Sequence, residues 1–333
     1  MSAAATDTTP AAGLTPGWVV CAGILVSDLF IPPLGGLPPA GQLVSIDSPL
    51  HQSGGCAANT GINLARLGVR VGVCGTVGED PLGAAVIAEL GEAGVDVSAI
   101  ARSARSPTSQ TVILSLAGED RRFLHCVGAN AELTAAAIGT AARGADILVI
   151  GGVLVLPGLH TQALTAVLMA AAAAGTRVLL DVAIPQDSTD AADHVRPLLP
   201  HVWAFLPNED EAYLITGATD PVIQARTLRT WGCPRVVVTC GAGGAIYADA
   251  DRIVRLHPLP TDVIDGSGAG DAFTAGIVVG MLRTWPITHM LGYAAVLGAS
   301  VCRGLGCHTT LATDAEAQAA MAAVSVDIIE GSL

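Results

Sequence analysis

Apolar and polar positions follow two rhythms along this chain: short continuous apolar runs of strand type, and three-to-four residue repeats of helices packed on one side. Trp18–Ser27 (WVVCAGILVS) is a strand-like run closed by Asp28. Gly54–Gly68 (GGCAANTGINLARLG) is a glycine turn entering an amphipathic helix, with Gly68 as its stop. Val69–Val77 predicts a strand and Pro81–Ala93 a helix ended by Gly94. From Asp146 onward the two rhythms alternate. Strands are expected at Ile147–Gly151, Arg177–Asp181, Ala204–Leu206, Val236–Thr239 and Ala245–Tyr247. Helices are expected at Gly158–Ala174, Glu209–Thr216, Val222–Trp231, Gly270–Arg283, Thr288–Arg303 and Asp314–Ala323.

Such alternation calls for a mostly parallel sheet covered by helices on both faces, an α/β fold of three layers. Two stretches break the rhythm. Leu29–Ser53 is rich in Pro and Gly with an alternating patch at Gln42–Ile46, and Thr108–Val127 alternates around a Gly118–Asp120 turn, as a hairpin does. Together they predict a small separate β-sheet, a lid over one end of the main domain, which would occupy residues 17–328. Residues 1–16, rich in Ala, Thr and Pro, read as a disordered tail without the basic start and apolar segment of a signal peptide. The Ala-rich stretch near Ala163–Ala174 is too short for a membrane span and reads as a buried helix.

Composition narrows the chemistry. The net charge of −13 repels nucleic acid and anionic membranes, so neither is an expected partner. An anionic ligand such as ATP would need local positive potential from backbone N–H groups, helix N-termini and Mg2+. All 16 basic residues are arginine. Without lysine there is no Walker A loop, no protein-kinase site, and no Schiff-base or pyridoxal-phosphate enzyme. The eight cysteines form no C-x-x-C pair and read as free thiols in a reducing cytoplasm, the Cys302/Cys307/His308 cluster being the one alternative as a metal site.

Four segments could carry chemistry. Asp265–Phe273 (DGSGAGDAF) opens a helix, so that Gly268, Ala269 and Gly270 can turn their amides to an anion. Asp271 follows in the first turn, where the helix dipole favours the charged form that a base needs. An anion hole beside a carboxylate suits phosphoryl transfer to an alcohol, although the same pattern also reads as a Gly-rich turn. Gly54 and Gly55 permit close approach of a ligand, and Asn59 offers both a donor and an acceptor. Pro207–Glu211 (PNEDE) reads either as ordinary helix capping or as a Mg2+ site in which Asn208 and Glu211 act through water. Val236–Gly244 (VVVTCGAGG) ends a strand in Thr and a glycine turn, a place for nucleotide. A dinucleotide fingerprint fits poorly, because no G-x-G-x-x-G follows the first strand.

These segments resemble the signatures of the PfkB, or ribokinase-like, carbohydrate kinases. GGCAANTGINLARLG is similar to the first signature and IDGSGAGDAFTAG to the second, usually D-T-x-G-A-G-D. PNEDE, VTCGAGG and GANAEL (Gly128–Leu133) resemble further family segments, in family order over about residues 18–312. The resemblance implies a ribokinase-like fold whose lid often makes a homodimer, with ATP, Mg2+ and, in part of the family, a monovalent cation such as K+ near Asp265. It implies Asp271 as base and Gly268–Gly270 as anion hole. Asp28, at the end of the first strand, would bind the substrate with Gly54, Gly55 and Asn59. Asn208 and Glu211 would organise Mg2+ and phosphates, Thr239, Gly241 and Gly244 the nucleotide, and Gly298–Gly306 the adenine.

The chain departs from the pattern at three places. Gly266 replaces the usual Thr, Cys56 stands where ribokinases often have Lys, and Val153 falls near a substrate-binding Glu of ribokinases. The expected acceptor is a sugar or sugar-like polyol. A nucleoside is the alternative, to be decided by Phe30, Phe123 and His125. A phosphosugar held by Arg105, Arg121 or Arg122, or a catalytically silent sugar-binding module, are further readings.

Overall fold

In the computed structural model, residues 17–116, 121–185 and 188–330 are described. The tail expected over 1–16 and the Gly118–Asp120 turn lie outside them. The strands, in chain order, are β1 (Trp18–Gly23), β2 (Val26–Leu34), β3 (Leu50–Gly54), β4 (Arg70–Gly78), β5 (Asp96–Ser103), β6 (Gln110–Leu116), β7 (Arg122–Cys126), β8 (Ile147–Gly151), β9 (Arg177–Leu180), β10 (Ala204–Phe205), β11 (Val236–Thr239), β12 (Ala245–Ala248), β13 (Ile253–Leu256) and β14 (Val326–Glu330).

The layering follows from alternation along β1. Successive side chains point to opposite faces of a strand. Val19 and Cys21 join a core with the helices Cys56–Arg66, Pro81–Glu92, Ala269–Leu282 and Ile287–Val301. Val20 and Ala22 join the opposite core, with Ala135–Ala141, Thr161–Ala173, Glu209–Thr216 and Pro221–Thr230. Strands buried on both faces must be apolar throughout, as these runs are.

The large sheet has ten strands in the order β14-β13-β12-β11-β10-β9-β8-β1-β4-β5. It is parallel from β11 to β5 and ends in an antiparallel meander, β12 to β14. The chain leaves β1 toward β4 on one side and returns at β8 on the other, and a ligand crevice belongs at the carboxyl ends of strands flanking such a switch. β3, β2, β6 and β7 form a separate four-stranded sheet, with β6 and β7 paired antiparallel.

Several expectations are corrected. The run Trp18–Ser27 is two strands: β1 stops at Gly23, and the chain crosses to the smaller sheet as β2. Asp28 therefore sits within β2, opposite Gln52 and Thr111, and does not end the first strand. Gln42–Ile46 is not a strand, and its Leu43 and Val44 are exposed. The Ala-rich helix Thr161–Ala173 buries only Leu164 and Leu168. Its alanines reflect helix propensity at a surface, not burial. No described helix is long and apolar enough to cross a membrane.

Candidate active site

The helix Ala269–Leu282 begins at Gly268, whose φ of 75° is left-handed. A Cβ there would stand 2.2 Å from the Cys307 carbonyl oxygen, so both conformation and space require glycine. The preceding loop is fixed by Asp265. Its Oδ1 accepts from the Ser267 backbone N–H (3.0 Å), the Ser267 hydroxyl (2.8 Å) and Arg121 Nη1 (3.1 Å). Gly268 and Gly270 line a cleft, while the Ala269 N–H turns back to the Gly266 carbonyl at 3.4 Å. Of the three expected amides, that of Ala269 is engaged in the turn, while Gly268 and Gly270 belong to the cleft lining.

Asp271 follows in the first turn, and its Oδ2 accepts from Asn59 Nδ2 at 2.8 Å. Asn59 is buried in the helix Cys56–Arg66, and its Oδ1 has no partner among the described residues. Asp271 is less readily charged than the helix dipole alone would make it. Burial outweighs it and pushes the carboxyl up to about 6, against hydrogen bonds from Asn59 and Cys56.

The smaller sheet presents a polar row to the same cleft. Asp28, Thr111 and His125 are cross-strand neighbours on β2, β6 and β7, while Gln52 of β3, paired with Asp28, lies outside the cleft lining. Thr111 Oγ1 lies 2.9 Å from His125 Nδ1 and also hydrogen-bonds Asp28. Burial pushes the Asp28 carboxyl up to about 7, and a Cβ on Gly54 would fall 1.7 Å from its Oδ2. Gly54 is therefore space for Asp28, whereas Gly55 lines the cleft as the N-cap of the following helix. Phe30 is fully buried against Ile113 and Cys307, which leaves Phe123 as the cleft aromatic of the smaller sheet.

On the far side the helix Glu209–Thr216 opens with both halves of a capping box: Asn208 N–H to Glu211 Oε2 (2.9 Å) and Glu211 N–H to Asn208 Oδ1 (2.8 Å). Both residues line the cleft, as does Thr239, bridged to Asn208 at the end of β11. Gly241 lies in the turn Gly241–Gly243 and Gly244 follows it, both beyond the cleft lining. Asp181, one residue past β9, lines the cleft from outside every motif. A lone Asp after a strand carries no motif. Its position beyond the carboxyl end of a parallel strand was the available signal.

The cleft encloses about 400 Å³ and is lined from β1, β9, β10 and β11 ends, from the smaller sheet and from the glycine loop. Burial, then Asp210 and Asp271, raise Glu211 to about 7. Burial, then Glu211 and Asp271, hold Asp181 well above the carboxylate range. Crowded oxygen donors of this kind suit a hard cation such as Mg2+. Arg121 supplies the guanidinium of the lining, beside Gly266. The Cys302/Cys307/His308 grouping does not form a ligand set among the described residues, whereas Cys56, Asp181 and Asp271 do.

Known proteins share this architecture. An Arabidopsis thaliana ribokinase complexed with ribose and ATP superposes with a TM-score of 0.77 at 22% identity, covering 92% of this chain and 98% of that one. A fructokinase of Klebsiella pneumoniae is 30% identical over 70% of this chain and 78% of its own length. A cytidine kinase of Thermococcus kodakarensis is 34% identical over 34% of this chain. The chain spans under half the length of two curated relatives it matches, 42% of that cytidine kinase and 36% of an ATP-dependent 6-phosphofructokinase of Thermoanaerobacterium thermosaccharolyticum. The model of the pfkB family carbohydrate kinases matches residues 18–314. The chain therefore has the ribokinase fold and belongs to the pfkB family of carbohydrate kinases.

Proposed function

We propose that this chain transfers the γ-phosphoryl group of ATP to a hydroxyl of a sugar or sugar-like small molecule. The carrying observation is Asp271, a carboxyl poised near 6 in the first turn of a helix whose opening residues Gly268 and Gly270 line the cleft. Such a group is ionised at neutral pH and basic enough to accept a hydroxyl proton. The amides receive the charge that develops on the transferred group.

The acceptor lies against the Asp28–Thr111–His125 row, with the Gly54–Gly55 turn beneath it. Asn59 acts on the acceptor and, through its bond to Asp271, on the base. Asn208 and Glu211, both engaged in the capping box, would hold Mg2+ through water, with Asp181 as a further donor. Bound there, Mg2+ supplies neutralisation of phosphate charge. Thr239 contacts the nucleotide, with Gly241 and Gly244 farther out. A K+ ion near Asp265 would compete with Arg121, Ser267 and the Gly306 N–H, which already occupy that carboxylate.

Arg121, one of the three candidate clamps, gives the site a cation. Arg105 is engaged by Glu132 at the surface instead. Gly266 explains part of this: a Cβ there would come within 3.3 Å of Arg121 Nη2, so the family's usual Thr would crowd the guanidinium.

A sugar is favoured over a nucleoside by the polar row, which offers hydroxyl-recognising groups, and by the loss of Phe30 as a stacking surface. Phe123 keeps the nucleoside reading alive. The exposed Phe123 and Leu124 on edge strand β7 support a homodimer through the smaller sheet, the proposed lid. The eight free cysteines support a reducing cytoplasm. A coupled ADP-release assay with Mg2+-ATP against sugars, sugar acids, sugar phosphates and nucleosides tests the reading. A sugar-dependent signal supports it. A signal from nucleosides alone replaces the acceptor class, and silence across the panel in a protein that binds ATP overturns it.

A further inference from the structure

Cys56, whose thiol hydrogen-bonds Asp271, lines the cleft, and phosphoryl transfer as proposed above gives its sulfur no further part. Cys56 begins its helix directly after the Gly54–Gly55 turn. It packs so tightly on the end of β8 that a Cβ on Gly151 would meet the Cys56 Cβ at 2.4 Å. The thiol is thereby held among carboxylates: Cys56 Sγ and one carboxyl oxygen each from Asp181 and Asp271 lie within 4.8 Å of one another. The three donors come from separate elements, a helix start, a strand end and the first turn of another helix. Beside them Asn59, 3% exposed, donates to Asp271 and leaves its own Oδ1 unpartnered among the described residues.

We propose that Cys56, Asp181 and Asp271 form a site for a thiophilic divalent cation of the Zn2+ class. Its ligand chemistry differs from that of a Mg2+ site, because a thiolate selects Zn2+ or Cd2+ and adds nothing for Mg2+. Zn2+ takes sulfur at about 2.3 Å and carboxylate oxygen at about 2.0–2.2 Å in a tetrahedron, which places ligand atoms about 3.5 Å apart. Pairs of these ligand atoms need to close by up to about 1.3 Å, with water completing the shell. Binding exchanges the thiol proton, released to solvent, for the S–metal bond. Because Asp271 is a ligand, the bound ion withdraws that carboxylate. Inhibition of turnover follows only if Asp271 is the base, and so rests on the function proposed above, whereas the site itself does not.

Cd2+ alone is the probe, since its bond to a thiolate gives an ultraviolet charge-transfer absorption. The full-length chain carrying Cys126→Ser, which removes an exposed thiol, is titrated with Cd2+ in the absence of Mg2+ and followed by absorption and calorimetry. One equivalent is expected to bind with the thiolate band. Cys56→Ser should abolish the band and weaken binding by about tenfold or more. Asp181→Asn should weaken binding while the band remains, and it decides the matter if Cys56→Ser does not fold. Absence of the band in the parent protein, or an undiminished band and affinity in folded Cys56→Ser, overturns the site. Binding with full ADP release in the presence of Zn2+ would leave the site standing and remove Asp271 from the role of base.

Discussion

Asn59 and Asp271 stand 212 residues apart in the chain and share a 2.8 Å hydrogen bond, amide to carboxylate. One lies in the first signature segment and the other in the second, so the bond joins the two halves of the site. It acts on chemistry because it stabilises the charged form of the carboxyl that burial disfavours. Asn59→Ala should therefore raise the Asp271 pKa and move the acid limb of the kcat profile to higher pH. A hydrogen bond to a charged group is worth about 1.5–3 kcal/mol, or about one to two pKa units, so kcat at pH 7 should fall about two- to fifteenfold. Recovery of part of the loss at alkaline pH separates this role from a merely structural one.

Stability should depend on pH in an unusual direction. Burial raises Asp28 and Glu211 to about 7, Asp271 to about 6 and Asp181 well above its ordinary range. A carboxyl raised by folding binds its proton more tightly in the folded than in the unfolded chain. Its penalty is full above pH 7 and is relieved as pH falls through 7 and 6 toward the ordinary value of about 4. His125 and His308, both lowered by burial, oppose this below about 6.5, two groups against four. Tm should rise from pH 8 to pH 5, and saturating Mg2+ at pH 8 should raise Tm and flatten the dependence. Thermal melts at fixed ionic strength read both, and a Tm that falls with pH from 8 to 5 would contradict the account.

Arg121 crosses from the smaller sheet to Asp265 and Ser267, beside the amides of Gly268 and Gly270. Arg121→Ala should lower kcat/KM by about ten- to a hundredfold, the loss expected when a charge-assisted hydrogen bond worth about 1.5–3 kcal/mol is removed. Steady-state kinetics in ATP and acceptor check this. Unchanged kinetics would make Arg121 a surface tether of β7.

Gly268→Ala forces a left-handed alanine, costing about 1–2 kcal/mol, and sets its Cβ against the Cys307 carbonyl. Tm should fall by at least a few degrees. Activity should fall by about a hundredfold as an anion-hole donor shifts. A variant with intact kcat would remove Gly268 from the machinery.

Much of this arrangement was legible in the sequence, and the exceptions share a cause. Helix starts are written in local chemistry, proline at N1, a capping box and a glycine turn: Pro81 and Glu209 appear where expected, and Ala269 one residue before the expected Gly270. The jump between sheets at Ile24 and Leu25 is invisible, because the run stays apolar whichever sheet it serves. For that reason the sequence does not show Asp28 to lie within β2, nor Phe30 to be covered by Cys307. Gly54 looked like a ligand contact, but its missing side chain makes room for the Asp28 carboxyl. Asp181 acquires meaning only when the fold brings Glu211 and Asp271 to it. Ionisation followed the same rule: the dipole at Asp271 is local and readable, while the burial that outweighs it is tertiary.

The most direct test is the kcat of Asp271→Ala with Mg2+-ATP and the acceptor that supports ADP release in the parent protein. Loss of a general base predicts a fall of about 10²–10⁴ with the fold retained. A folded Asp271→Ala protein with near-parental kcat would contradict Asp271 as the base on which the proposed reaction depends.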